Sequence, residues 1–128
     1  MRLLLDTHAL LWWAHDPARL SAAALRVIGD GANDAMVSVV SAMEIATKSR
    51  KGRLEYQSAL ADRFAAEAES RGFGLVSINC AHAERAGRYA SSNQDPWDRL
   101  LAAQAEIEGL TLVSCDAKMA DFRVATFW

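Results

Sequence analysis

Short apolar runs that read as strands alternate with segments of helical period along this 128-residue chain, and that alternation dictates a parallel sheet. Each helix must return the chain across the sheet in a right-handed crossover, so helices cover both faces. The strand-like runs are Arg2-Leu3-Leu4-Leu5, Ala35-Met36-Val37-Ser38-Val39-Val40, Gly74-Leu75-Val76-Ser77-Ile78, Leu110-Thr111-Leu112-Val113 and Val124-Ala125-Thr126-Phe127. Between them, periodicity and punctuation predict a helix through residues 9–13 that stops before Asp16-Pro17. A second covers Ser21 to Ile28, and a third runs from Ser41 to Gly52. One long amphipathic helix is expected within 54–71, with Leu60, Phe64, Ala65 and Ala68 on its buried face, and Asn79 caps the next. The sixth opens at Pro96 and closes at Gly109, and a short one follows at Ala117 to Asp121. The fold class is α/β with a central, mainly parallel sheet, and residues 1–128 form one domain.

Composition sets the outer limits of function. Apolar residues make up 52% of the chain and charged ones 23%, the balance of a folded protein rather than a disordered one. A net charge of −2 gives no bulk attraction to nucleic acid, although a local basic strip can still hold phosphate. Asp6 and His8 divide Leu3-Leu4-Leu5 from Leu10-Leu11-Trp12-Trp13, so no signal peptide or membrane span is expected. Cys80 and Cys115 lack C-x-x-C spacing and are expected to be small buried residues in a reducing cytoplasm. Trp12 and Trp13 offer an exposed apolar surface for a subunit interface.

The acids are placed unusually. Asp95-Pro96-Trp97-Asp98 puts proline at the first helical position, Asp95 at the N-cap and Asp98 in the first turn, at the positive end of the helix dipole. Asp6 closes the first strand, with Thr7 expected to cap the helix that follows. Ser41-Ala42-Met43-Glu44 reads as a capping box after the second strand, and Asp116 follows the fourth. The third strand ends in Ser77-Ile78-Asn79, without an acid. Helix capping explains each acid singly. Together, Asp6, Glu44, Asp98 and Asp116 fall on the carboxyl edge of a parallel sheet, where such sheets bind ligands. Two carboxylates about 5 Å apart repel by roughly 3 kcal/mol at an effective dielectric near 20, so a cluster needs protons or a cation. An all-oxygen set without His or Cys suits a hard ion, Mg2+ or Mn2+, and such an ion supports hydrolysis of a phosphodiester. Lys48, Arg50, Lys51 and Arg53 crowd the end of the third helix, either as a solvated terminus or as a strip that follows an RNA backbone; the sequence leaves both open.

Leu4-Leu5-Asp6-Thr7-His8-Ala9-Leu10-Leu11-Trp12, Ser41-Ala42-Met43-Glu44-Ile45-Ala46, Asp95 through Ala105 and Ser114-Cys115-Asp116 together resemble the PIN-domain ribonucleases, and within them the VapC-type toxins of bacterial toxin–antitoxin pairs. The resemblance implies a three-layer α/β/α fold, Mg2+- or Mn2+-dependent endonucleolytic cleavage of RNA, a homodimer and a cognate antitoxin that blocks the site. It makes Asp6, Glu44, Asp98 and Asp116 the catalytic, metal-holding acids, with Thr7, Ser41 and Ser114 as the polar groups that orient them. Asn93 stands where relatives often have His, and Met43 where they often have Trp. Three rivals are weighed against it. A receiver-type signalling domain needs an acid at the end of its third strand. A PIN-like scaffold that binds RNA or a partner without turnover would not require all four acids. Cleavage by His8 and His82 would proceed without metal.

Overall fold

Leu3, Leu4 and Leu5 have no exposed surface, because β1 (Arg2–Leu5) runs through the middle of the sheet. The computed structural model describes residues 1–128. On one side β1 pairs with β2 (Asp34–Ser38), and beyond β2 lies β3 (Gly74–Val76); on the other it pairs with β4 (Thr111–Val113), with β5 (Thr126–Phe127) outside. The order is β3-β2-β1-β4-β5 and every pairing is parallel. Leu5 sits opposite both Val37 and Val113. The residues that follow, Asp6, Ser38 and Ser114, therefore leave three adjacent strands at the same level.

Alternation along β1 builds two cores. Leu3 and Leu5 point into one, with residues of α1 (Thr7–His15), α2 (Ala22–Gly29) and α4 (Phe64–Ser70); Leu4 points into the other, with α5 (Cys80–Arg88) and α6 (Pro96–Glu108). α3 (Val39–Arg50) serves both, Ile45 in the first and Val40 in the second. This is the expected three-layer α/β/α arrangement. Full burial of each leucine contributes about 1.5–3 kcal/mol. No helix is long and apolar enough to cross a membrane.

Several local expectations are corrected. β2 ends at Ser38, whose hydroxyl accepts from the Val40 amide at 3.0 Å and caps α3. The capping box at Ser41-Glu44 does not form; Ser41 lies in the first turn of α3 and Glu44 in the second, and both are buried. Two serines three residues apart offer the same capping chemistry, and the earlier start wins by putting Val40 in the core. Asp6, not Thr7, caps α1, its Oδ1 accepting from the Ala9 amide at 2.7 Å. The helix expected over 54–71 is broken into a 3-10 turn, Ala59–Ala61, capped by Ser58, and the short α4. Leu60, Phe64 and Ala68 still reach the core, so the four-residue spacing survives the break, but Ala65 is exposed. Residues 117–122 form a 3-10 helix.

Trp12 and Trp13 are half-buried rather than free. Trp12 packs edge-on to Trp128 and lies under the Arg19 guanidinium at 4.6 Å, while Trp13 meets Phe73. Cys80 and Cys115 are exposed, against expectation, because Cys80 opens α5 and Cys115 follows β4, each outside the apolar runs; Cys80 donates to Glu84 at 3.0 Å. His82 is buried at 1% exposure, accepting the Asn79 amide on Nδ1 and meeting Glu108 through Nε2 at 2.8 Å.

Candidate active site

Four separate segments bring Asp6, Glu44, Asp98 and Asp116 to one cavity of about 150 Å3 above the carboxyl ends of β1, β2 and β4. Asp6 comes from the end of β1, Glu44 from the second turn of α3, Asp98 from the first turn of α6, and Asp116 from the cap of the 3-10 helix after β4. α6 behaves as its sequence requires: Pro96 is the first helical residue, and Asp95 Oδ1 accepts from the Trp97 amide at 2.8 Å and the Asp98 amide at 3.3 Å. Gly109 ends the helix at φ 65°, the left-handed conformation that favours glycine.

Each acid is oriented. Thr7 has one hydroxyl proton and donates it to Glu44 Oε1 at 2.8 Å, so at the 2.9 Å contact between Thr7 and Ser41 the serine is the donor. Glu44 Oε2 accepts from Lys48 Nζ at 2.6 Å, which engages its second oxygen. Asn93 Nδ2 donates to Asp98 Oδ2 at 2.9 Å. Asp116 Oδ1 accepts from the Lys118 amide at 2.9 Å, and the Asp116 amide donates to Ser114 Oγ at 3.1 Å. Asp98 Oδ1 and Asp116 Oδ2 keep no protein donor.

The charges strain against one another. Burial pushes the Asp6 carboxyl above its ordinary range and Glu44 adds to the rise, while the Ser114 hydroxyl and the Ala9 amide pull it back. Burial likewise raises Asp98, opposed by Asn93 and reinforced by the negative charges of Asp95, Asp116 and Glu44. A carboxyl whose folded pKa lies above its unfolded value binds protons more readily when folded. Its contribution to stability is therefore unfavourable above that raised pKa and is relieved as pH falls through it. Metal-free Asp6→Asn is thus expected to be more stable than wild type at neutral pH, because asparagine keeps the cap and drops the charge. The gap should close on acidification; urea unfolding in EDTA at a series of pH values measures it, and a gap independent of pH refutes the assignment.

The donor set fits a hard divalent ion in kind, being oxygen throughout and short of positive charge. As placed, no three acidic, histidine or cysteine side chains close on one point at ligating range. An ion that retains water in its shell, as Mg2+ does, bridges such a spread set more readily than one that demands direct ligands.

Lys48 lines the cavity, whereas Arg50, Lys51 and Arg53 are exposed and line none of the cavities on this face. His8 stands at the rim and tilts against Trp12 with ring centroids 5.5 Å apart, but His82 is buried beside Glu108, so the two histidines do not meet in the cavity. Lys118 reaches the cavity from the far side. Arg99 gives no hint of its part in the sequence beyond lying next to Asp98. Its guanidinium donates to the carbonyls of Ala86, Tyr89, Ser91 and Asn93 at 2.8–3.1 Å and so fixes the loop that carries Asn93.

Known proteins share this plan. The sequence profile of the PIN domain matches residues 3–125. Ribonuclease VapC22 of Mycobacterium tuberculosis is 32% identical over 122 residues, covering 94% of this chain and 92% of that protein. In the crystal structure of VapBC2 from Rickettsia felis bound to a DNA fragment from its promoter, one chain superposes with a TM-score of 0.67 at 15% identity, covering 100% of this chain and 99% of that one. A chain of FitAcB from Neisseria gonorrhoeae gives 0.62 at 19% identity, covering 100% and 97%. At those identities the two structures speak for the fold, while the profile and the mycobacterial relative span nearly all of the sequence: this chain belongs to the PIN-domain family.

Proposed function

We propose that the protein is a metal-dependent endoribonuclease that hydrolyses RNA phosphodiester bonds, and that it acts as the toxin of a toxin–antitoxin pair. The observation that carries this reading is the meeting of Asp6, Glu44, Asp98 and Asp116 in one cavity at the carboxyl edge of the sheet, in a chain similar along its length to a protein named a ribonuclease. Bound Mg2+ or Mn2+ supplies the positive charge that activates water and stabilises the leaving oxygen in an in-line displacement at phosphorus. Asp98 and Asp116, each with an oxygen free of protein donors, would hold the ion together with Asp6, in part through waters that the ion retains. Thr7 and Ser41 fix Glu44, and Lys48 balances its charge. Asn93 orients Asp98, and the Ser114 hydroxyl favours the charged form of Asp6.

The partners follow from the same reading. The structural neighbours are described as VapBC and FitAB complexes and a toxin-antitoxin complex from Klebsiella pneumoniae, which supports a separate antitoxin chain for this protein. A homodimer rests on the family resemblance. The spread of the carboxylates favours one rival, a scaffold that binds RNA without turnover. Incubation of purified, antitoxin-free protein with a labelled RNA pool in Mg2+, Mn2+ or EDTA separates the two. Discrete fragments that require metal are expected, and binding without fragments in any metal moves the function to the scaffold.

Mg2+ is further expected to raise the melting temperature of the wild type, by relieving repulsion among the acids, and to leave the Asp6→Asn/Asp98→Asn double variant unmoved. A shift that persists in the double variant places the ion elsewhere.

A further inference from the structure

Two further cavities continue from the acid cavity along one side of the molecule. A groove of about 750 Å3 runs between residues 92–95 and the 3-10 helix Ala117–Phe122, and it shares Asn93, Asp95 and Lys118 with the acid cavity. Past Asp121, which lines both, a pocket of about 400 Å3 opens beside Arg85, Arg88 and Arg123. Half of the 14 Lys and Arg residues of this protein are spoken for. Arg2, Arg19, Lys48, Arg63, Arg71 and Arg85 have carboxylate partners, and Arg99 is spent on backbone carbonyls. Lys118, Arg88 and Arg123 are exposed and have no acidic partner within ion-pair distance; Lys118 lines the groove, and Arg88 and Arg123 together line the pocket beyond it.

Two negative groups, Asp95 and Asp121, also stand on the path, each held in place by hydrogen bonds. Asp121 Oδ2 accepts from Ser91 Oγ, Ser92 N and Ser92 Oγ at 2.8–3.2 Å, and these bonds hold its carboxyl below the ordinary range. It serves as a wall that ties the loop to the 3-10 helix. Asp95 is occupied in capping α6.

Arg123 carries a second mark. It ends the 3-10 helix at φ 58°, ψ 29°, and it is the only residue other than glycine with positive φ. Glycine is the residue such a turn favours. A long, exposed, unpaired side chain at this position is thus not accounted for by the backbone it sits on.

We infer that the path from the acid cavity through the groove to the arginine pocket is the track of a single RNA strand, with Lys118, Arg88 and Arg123 gripping successive phosphates on one side of the scissile bond. The inference rests on the ribonuclease reading and deepens it. It directs the strand over the 3-10 helix and away from Arg50, Lys51 and Arg53, which line none of these cavities.

The test is fluorescence anisotropy with a short, end-labelled, mixed-sequence single-stranded RNA in EDTA across a salt series, beside melting curves and cleavage kinetics in Mg2+. Arg123→Gly is expected to melt at or above the wild-type temperature while binding RNA several-fold more weakly. Its slope of log Kd against log salt should be shallower by about 0.7, the effect of one lost single-strand phosphate contact. Arg88→Ala should lower the slope by a similar step, the double variant by both, and Arg26→Ala, on the unrelated helix α2, by none. In cleavage, the arginine variants should raise KM and leave kcat in place. Should Arg123→Gly melt lower, Arg123→Asn keeps a residue tolerant of this conformation and repeats the binding test. Unchanged slope and KM in the Arg88 and Arg123 variants, with wild type active, overturn the track. So does a loss of slope confined to an Arg50→Ala/Arg53→Ala variant. Wild-type protein that neither binds nor cleaves RNA removes the ribonuclease reading itself, and the track with it.

Discussion

Asp98→Asn is expected to lose more than about 100-fold in RNA cleavage while remaining folded. Removing a group that merely orients a metal ligand costs roughly 10–100-fold, and Asp98 is assigned as a ligand itself. The substitution is close to isosteric. Asparagine can still accept from Asn93 through its carbonyl oxygen, and the amide that Asp95 caps belongs to the backbone, so α6 keeps its start. What disappears is a negative charge that Asp95, Asp116 and Glu44 all oppose. The variant should therefore match or exceed the wild-type melting temperature in EDTA and gain less from Mg2+. Cleavage within about tenfold of wild type would remove Asp98 from the reaction, and lost activity with a collapsed melting curve would show only that the residue holds the fold.

Arg99→Gln is expected to destabilise the protein by about 3 kcal/mol. Hydrogen bonds from a charged donor contribute roughly 1.5–3 kcal/mol each when their loss strands a partner, and here one guanidinium serves four carbonyls between residues 86 and 93. These bonds are not additive, and water can reach part of the loop, so the sum lies well below four full bonds. Lysine at 99 should restore only a fraction, since a point charge cannot reproduce a fork that donates in several directions. Cleavage should fall as well, because the loop delivers Asn93 to Asp98. Urea unfolding of wild type, Arg99→Gln and Arg99→Lys tests this. A loss under 1 kcal/mol, or full rescue by lysine, would mean that the loop is held by Asp121 and its two serines instead.

The sequence speaks clearly where chemistry is local. Asp95, Pro96 and Asp98 could be placed on α6 residue by residue because a cap, a ring-locked φ and a first-turn acid depend only on neighbours. Ser38 and Ser41 show the limit of that logic. Either hydroxyl can start α3, and the choice turns on Val40 joining the core that Leu4 and α6 build, a long-range packing that no local pattern encodes. The grip of Thr7 on Glu44 spans 37 positions and that of Arg99 on Ala86 spans 13, so both depend on the finished fold. The 54–71 segment misleads for the opposite reason. Its four-residue spacing is real, but a 3-10 turn joined to a short helix presents the same spacing to the core.

The central position of β1 also sets a schedule for synthesis. β1 is made before β2 and β4 and lies between them, so one of its edges stays open until residues 111–113 have left the ribosome. Asp6 emerges well before Asp116, yet both line the same cavity. At about 5–20 residues per second, the growing chain spends several seconds with the acids apart. A nascent chain that has not yet reached Asp116 therefore lacks one wall of the acid cavity, and the complete set of acids arrives only with the segment that follows β4.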